Sequence, residues 1–248
     1  MTKKNQTKII ASIEARMTSS RLPGKVLMPA FNDITMLEFM IKRVQLSHLI
    51  DDIVIATTTK ATDDPIIDLC EKLKINYFRG SEEDVLKRVL ESHNKMNSDI
   101  IVELTGDCPL IDPKVIDEIV NHYLKNNYDY VSNTTFRSYP DGFDVEVFSR
   151  KLLESIDKKT SKSYDREHVS SYIYNSKKYS TKGCFSPDEL FWPNLRLTLD
   201  YYNDYKLISH IINHFYPSQG YSFSINEILK YIKTNKTKIL TDENLNID

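Results

Sequence analysis

The strongest constraint on this fold is an alternation. Five short runs rich in β-branched residues, KIIASIEA (8–15), DIVIATT (52–58), INYFRG (75–80), DIIVEL (99–104) and DYVSN (129–133), are separated by amphipathic stretches. Runs of that length and composition read as strands rather than buried helices. The stretches between them carry helix-start signals. Thr35 with Glu38 three residues on makes a capping box that opens a helix to about Ser47. The segments 63–65 (DDP) and 112–113 (DP) put Asp at an N-cap and Pro at the first helical position. In EEDVLKRVLESHNK, Val85 and Val89 pair at helical spacing, as do Leu86 and Leu90. The order β-α-β-α-β-α-β-α-β predicts an α/β fold with a mostly parallel sheet flanked by helices. Ligands of such sheets bind beyond the carboxyl ends of the strands.

The second half is less regular. Residues 142–148 (GFDVEVF) and 194–200 (NLRLTLD) read as strands, 164–175 as a helix, and 203–216 as a helix capped by Asn203. The polar tail 235–248 is expected to fray. There is no internal repeat and no low-complexity linker, so 1–248 reads as a single domain.

A near balance of 33 Lys+Arg and 35 Asp+Glu gives no global reason to expect a nucleic-acid partner. Any anionic ligand must be held by a local cluster, and one follows the first strand. IEARMTSSRLPGK (13–25) carries Arg16, Arg21 and Lys25. It is not a Walker loop: Ser19 stands where the first Gly belongs, and Val26 replaces the Ser/Thr that would hold magnesium. With only six Gly in the chain and no G-x-G-x-x-G, it is not a dinucleotide fingerprint either. Side chains must therefore grip a polyphosphate, Arg as a fork and Lys as a point charge. The competing reading is a set of solvated loop charges.

Two strand-end carboxylates complement this loop. Asp107, between Gly106 and Pro109, suits a divalent metal or, alternatively, an Asx-turn. Asp200 ends the run RLTLD, and Asp204 reads as a first-turn helix acid. The His210/His214 pair lacks the Glu of a zinc-protease motif. Cys70, Cys108 and Cys184 form no C-x-x-C. With no signal peptide and no long apolar run, a reducing, cytoplasmic setting with no membrane partner is expected.

Taken together, IEARMTSSRLPGKVL, RGSEEDVLKR, LTGDCPLIDP, DGFDVEVF, REHV and LRLTLDYYNDYKLI resemble the cytidylyltransferases that activate sugar acids. The resemblance is to the spore coat polysaccharide branch, which is similar to the 3-deoxy-manno-octulosonate cytidylyltransferases, and it spans about residues 8 to 215. It implies a Rossmann-like nucleotide-diphospho-sugar transferase fold, with residues 1–135 binding nucleotide and 136–220 binding acceptor and forming a homodimer. It implies that Arg16, Arg21 and Lys25 grip the triphosphate of CTP beside Ala15, with Arg16, Lys25 and Asp107 catalytic. It implies that Asp107 and Asp200 hold Mg2+, and that Gly80, Ser81 and Asp84 contact base and ribose. Asp144, Glu146, Arg166, Glu167 and His168 are candidates for the sugar-acid acceptor, Arg166 as partner for its carboxylate; a structural ion-pair cluster is the competing reading. Glu14 stands where the octulosonate enzymes have Pro, and Cys108 where they often have Glu. Attack on the α-phosphate of CTP expels pyrophosphate, so catalysis is chiefly positioning and charge neutralisation. Two other readings remain at this level: a glycosyltransferase of similar architecture using a nucleotide sugar, and a nucleotide-binding protein without catalysis.

Overall fold

A computed structural model describes residues 7–243, with side chains described through 237. The first half follows the expected alternation: β1 (Ile9–Glu14), a small β2–β3 hairpin (Pro29–Phe31, Ile34–Thr35), α1 (Met36–Val44), β4 (Asp52–Thr58), α2 (Asp64–Leu73), β5 (Asn76–Gly80), α3 (Val85–Met96), β6 (Ile100–Thr105) and α4 (Pro113–Lys125). Then come β7 (Tyr130–Ser132), β8 (Glu146–Ser149), α5 (Arg150–Asp157), α6 (Ser163–Glu167), α7 (Ser171–Asn175), β9 (Thr181–Gly183), α8 (Tyr202–Gln219) and α9 (Ile225–Glu243). The helix α9 runs through the first part of the tail expected to fray, and 244–248 lie outside the described residues.

Seven strands form one sheet in the order β5-β4-β1-β6-β8-β7-β9. Within it β8 alone runs against its neighbours, pairing antiparallel with both β6 and β7. The remaining pairs are parallel. Alternation along β1 sorts the core into two layers. Ile9, Ala11 and Ile13 face a large cluster that includes residues of α1, α4, α8 and α9. On the opposite face Ala56, Ile101, Tyr130 and Phe148 pack against α3 and α5. Each fully buried Ile or Phe contributes about 1.5–3 kcal/mol. Arg43 is a fully buried cation; it donates to the carbonyls of Ile111 (2.8 Å) and Tyr221 (2.6 Å) and lies over Phe223, which ties α1 to the α8–α9 turn. Burial lowers its pKa to about 10.

The caps expected at Thr35 and Asp112 form, the latter accepting from the Lys114 amide at 2.8 Å. Asp63 holds the N-cap position of α2, but its side chain makes no cap bond. The second half corrects the sequence reading in four places. First, β8 is shorter than 142–148 because the Asn133 side chain replaces a strand partner: its amide donates to the Phe143 carbonyl (2.7 Å) and its oxygen accepts from the Val145 amide (2.8 Å). Gly142, at φ +110°, packs so closely on the Leu197 carbonyl that a Cβ would lie 2.5 Å from it. Second, 194–200 is an extended crossing with a single bridge from Arg196 to Asp141, not a sheet strand. Its amides go to loops: Leu197 to the Asp141 carbonyl and Leu199 to the Asp107 carbonyl, both at 2.7 Å. Leu195, Leu197 and Leu199 are buried, which is why the alternation imitated a strand. Third, the helix expected over 164–175 breaks into α6 and α7, with Val169 at φ +25° between them. Fourth, α8 starts at Tyr202 rather than after Asn203, and the Asp204 carboxylate accepts the amides of Asp200 (2.9 Å) and Tyr201 (2.8 Å).

Candidate active site

The loop after β1 is held in shape by backbone and by one buried carboxylate. Gly24, in the left-handed conformation at φ +73°, donates its amide to the Met17 carbonyl at 2.8 Å and starts the short turn Lys25–Leu27. Asp63, fully buried, accepts from the Met17 amide at 2.8 Å and from the hydroxyl of Thr58 at 2.5 Å. On the other side, Gly106 donates to the Glu14 carbonyl at 2.8 Å, an approach so close that a Cβ there would meet that oxygen at 2.6 Å. The ends of β1 and β6 are thereby pressed together, and Asp107 faces the loop.

At this junction Lys25 Nζ lies 3.1 Å from Asp107 Oδ2 and 3.1 Å from Asp200 Oδ1. Arg21 reaches the same Asp200 oxygen at 2.5 Å, and Arg196 reaches Oδ2 at 3.2 Å. Burial pushes the Asp200 carboxyl up, but Lys25, Arg196 and Arg21 together outweigh it and hold it below the usual range. Lys25, expected as a loop cation outside the core, is instead 8% exposed. Arg16 stays 44% exposed with only a 3.5 Å contact to Glu82, a carboxylate already taken by Lys60 and by Thr18. Bonds from Lys60 and then Thr18 hold Glu82 below its ordinary pKa.

The carboxylates of Asp107 and Asp200 converge on one point of positive charge, which here is the Lys25 ammonium. Two hard oxygen donors of this kind suit magnesium, which takes one or two carboxylates and fills its shell with water and substrate phosphates. Among the described residues no group of three or more His, Cys, Asp or Glu is arranged to hold a metal unaided.

A cleft of about 370 Å³ opens beside this cluster. Of the residues singled out in the sequence, Ala15, Arg16, Arg21, Lys25, Asp107, Glu167 and His168 line it. The others do not. Gly80 closes over Arg88, Ser81 bonds the Asp84 amide, and Asp84 caps α3 through the Lys87 amide. Arg166 is committed to Asp84 (2.8 and 2.7 Å) and Asp157 (2.8 Å), so the guanidinium expected for an acceptor carboxylate is already paired. Asp144 is gripped by both arms of Arg137, and burial nonetheless raises its pKa. Glu146 turns inward to Ser170.

Several residues of this region were not proposed for the site from the sequence. Arg88 lines the cleft, as does Glu14, which drew notice only as a departure from the octulosonate enzymes. Glu103 stands opposite Glu146 in the β6–β8 ladder and close to Glu14 on the neighbouring β1. Burial, then Glu146 and Glu14, push Glu103 well above the usual carboxylate range. Arg196 bridges Asp141 and Asp200. Arg88 and Arg196 both sit inside stretches that carried the family resemblance, but nothing local says where their side chains go.

The family model described as cytidylyltransferase matches residues 10–214. The spore coat polysaccharide biosynthesis protein SpsF of Bacillus subtilis is 35% identical over 206 residues, covering 81% of this chain and 84% of that protein. The 3-deoxy-manno-octulosonate cytidylyltransferase of Solibacter usitatus is 36% identical over 116 residues, 46% of this chain and 44% of its own. The solved structure of a cytidylyltransferase from Leptospira borgpetersenii superposes with a TM-score of 0.88 at 35% identity, covering 98% of this chain and all of that one.

Proposed function

The chain belongs to the cytidylyltransferase family, and from that premise we propose that it transfers CMP from CTP to a hydroxyl of a sugar acid or related acceptor, releasing pyrophosphate, in surface polysaccharide or glycoconjugate synthesis. The observation that carries this reading is Lys25, held 3.1 Å from both Asp107 and Asp200 with Arg21 alongside. That is a set of cations facing the two carboxylates suited to magnesium. Magnesium, when bound there, would neutralise charge on the phosphates.

The chain's own residues do the rest. Arg16 and Arg21 bind phosphate oxygens from the exposed loop, and Lys25 is placed at the α-phosphate. The acceptor oxygen forms its bond to the α-phosphorus as the bridge to pyrophosphate breaks, and the hydroxyl proton passes to solvent. Negative charge grows on the leaving bridge, where preset cations lower the barrier most. The homodimer expected from the resemblance belongs to the same proposal. Its support is the exposed, stacked Phe136–Phe185 pair, with ring centroids 5.7 Å apart, beside the edge strand β9.

Incubation with CTP, magnesium and a panel of octulosonic, nonulosonic and smaller hydroxy acids tests the reaction. One acceptor should release pyrophosphate stoichiometrically with a CMP conjugate identified by mass. Release of pyrophosphate only from another nucleoside triphosphate, or transfer of a sugar from a nucleotide sugar, would overturn it.

A further inference from the structure

Asp200 and Tyr201 are consecutive, and Arg21 lies against both. Tyr201 is extended, at φ −126° and ψ 166°, at the N-terminal end of α8. Successive side chains of an extended chain leave on opposite sides. Asp200 is accordingly buried beside Lys25, while Tyr201 is 51% exposed. One carboxylate fixes both backbones, since Asp204 accepts the amides of Asp200 at 2.9 Å and Tyr201 at 2.8 Å. Arg21 spans the two side chains. Its Nη2 donates to Asp200 Oδ1 at 2.5 Å, and its Cζ lies over the Tyr201 ring, 5.4 Å from the centroid.

The two contacts hold Arg21 in different ways. The carboxylate fixes one nitrogen, and its oxygen is shared, because Lys25 Nζ lies 3.1 Å from the same atom. Any ligand that draws Lys25 or Arg21 toward itself weakens that ion pair. The ring attracts the guanidinium through its quadrupole and takes up none of its N–H donors. Among the described residues Asp200 is the one hydrogen-bond partner of the Arg21 guanidinium, so Nε and Nη1 are free to meet phosphate oxygens. Arg21 is also half exposed, and a long exposed side chain loses rotamer freedom when it grips a ligand. A contact that holds it beforehand reduces that loss.

We infer that Tyr201 positions Arg21 for the polyphosphate, with its ring face as the support that remains when the Asp200 ion pair loosens. Arg21 lines the cleft and Tyr201 does not, so the ring acts through Arg21. The neighbouring Tyr202 supplies the contrast. It is 57% exposed at the same helix start, but its ring meets Tyr205, at 5.7 Å between centroids, and Lys206, whose Nζ is 5.8 Å from its centroid.

This inference rests on the triphosphate reading of the loop above, and the test separates the two. Titration calorimetry measures Kd for CTP with magnesium and for inorganic triphosphate. Tyr201→Leu should raise both values about 2- to 5-fold, the fold-change of a cation–π contact at an exposed site. Tyr201→Phe, which keeps the ring face, should restore wild-type binding, and Tyr202→Leu should leave it unchanged. Arg21→Ala should weaken CTP binding at least about 10-fold, the loss of a charged hydrogen-bond donor. Adding Tyr201→Leu to Arg21→Ala should cost nothing further, because the two residues act through one contact. Calorimetric melting confirms that each variant is folded. Wild-type Kd values in Arg21→Ala would overturn the phosphate role of Arg21 and this inference with it. A clear Arg21→Ala loss would leave the phosphate role standing while any of four results overturned the inference alone. These are wild-type binding in Tyr201→Leu, an equal Tyr201→Leu penalty in the Arg21→Ala background, a Tyr201→Phe variant as weak as Tyr201→Leu, or a loss for CTP that inorganic triphosphate does not share.

Discussion

Asp63 Oδ1 accepts the backbone amide of Met17 at 2.8 Å, and its other oxygen takes the Thr58 hydroxyl at 2.5 Å. A residue at the start of α2, after β4, thus fixes the conformation of a cationic loop that follows the neighbouring strand β1. The loop is poor in glycine, so its shape cannot come from backbone freedom alone; it is imposed by this buried carboxylate and by the Gly24 turn.

Replacing Asp63 with Ala should therefore act twice. It strands the Met17 amide and the Thr57 and Thr58 hydroxyls, costing at least about 2 kcal/mol in denaturant melts. It should also raise KM for CTP more than it lowers kcat, because the cations lose their preset positions. Asp63→Asn, whose oxygen still accepts from Met17, should recover part of both. An unchanged KM in a folded Ala variant would show that the loop is shaped by other contacts.

Lys25→Ala should lower turnover by roughly 10²–10³, the effect of one lost charge contact in the transition state. Because Lys25 is buried between two carboxylates, the change should also cost about 1–3 kcal/mol of stability. Magnesium should then raise the melting temperature of the variant more than that of wild type, since a cation binding only the folded state replaces the missing charge. Equal magnesium shifts in the two proteins would contradict a shared cation position.

Asp107→Asn and Asp200→Asn should each weaken the magnesium dependence of the initial rate, and the double variant should be little worse than either, since residues serving one metal act as a unit. Multiplicative losses would assign them to separate sites. The folded-state pKa of Asp200 lies below its unfolded value, so its ion pairs stabilise the protein above about pH 4 and that stabilisation is lost as pH falls through the lower folded value. The stability gap between wild type and Asp200→Asn should accordingly be widest near neutrality and close in acid.

Glu103 titrates in the opposite sense. Its folded-state pKa is raised, so the folded protein binds the extra proton and stability falls as pH rises from about 4.3 toward the folded value. Glu103→Gln removes that titration with a side chain of nearly the same shape. Its melting temperature relative to wild type should rise between pH 5 and pH 8. A pH-independent difference would mean that Glu103 is ionised in the fold.

The sequence alone determined the elements that depend on neighbours along the chain. The strands at 9–14, 52–58, 76–80, 100–105 and 130–132 were legible because their short β-branched runs, and the capped helices between them, are local signals. The same locality exposed Arg16, Arg21, Lys25 and Asp107, since in a parallel sheet the segments following strand ends converge on one edge. What only the tertiary structure decided depends on partners distant in sequence. Residues 194–200 alternate as a strand does, yet their hydrogen-bond partners are the Asp107 and Asp141 loops, and that crossing is what delivers Asp200 to Lys25. Arg166 looked available to an acceptor because its partners, Asp84 and Asp157, are distant or unremarkable in sequence. Asp63 read as a helix cap because no local pattern reveals that its carboxylate turns away to Met17. Nothing local marks Arg88 among the charges of α3, yet packing under Gly80 buries it. Periodicity fixes which face a side chain leaves from; only three-dimensional packing fixes which charge meets it there.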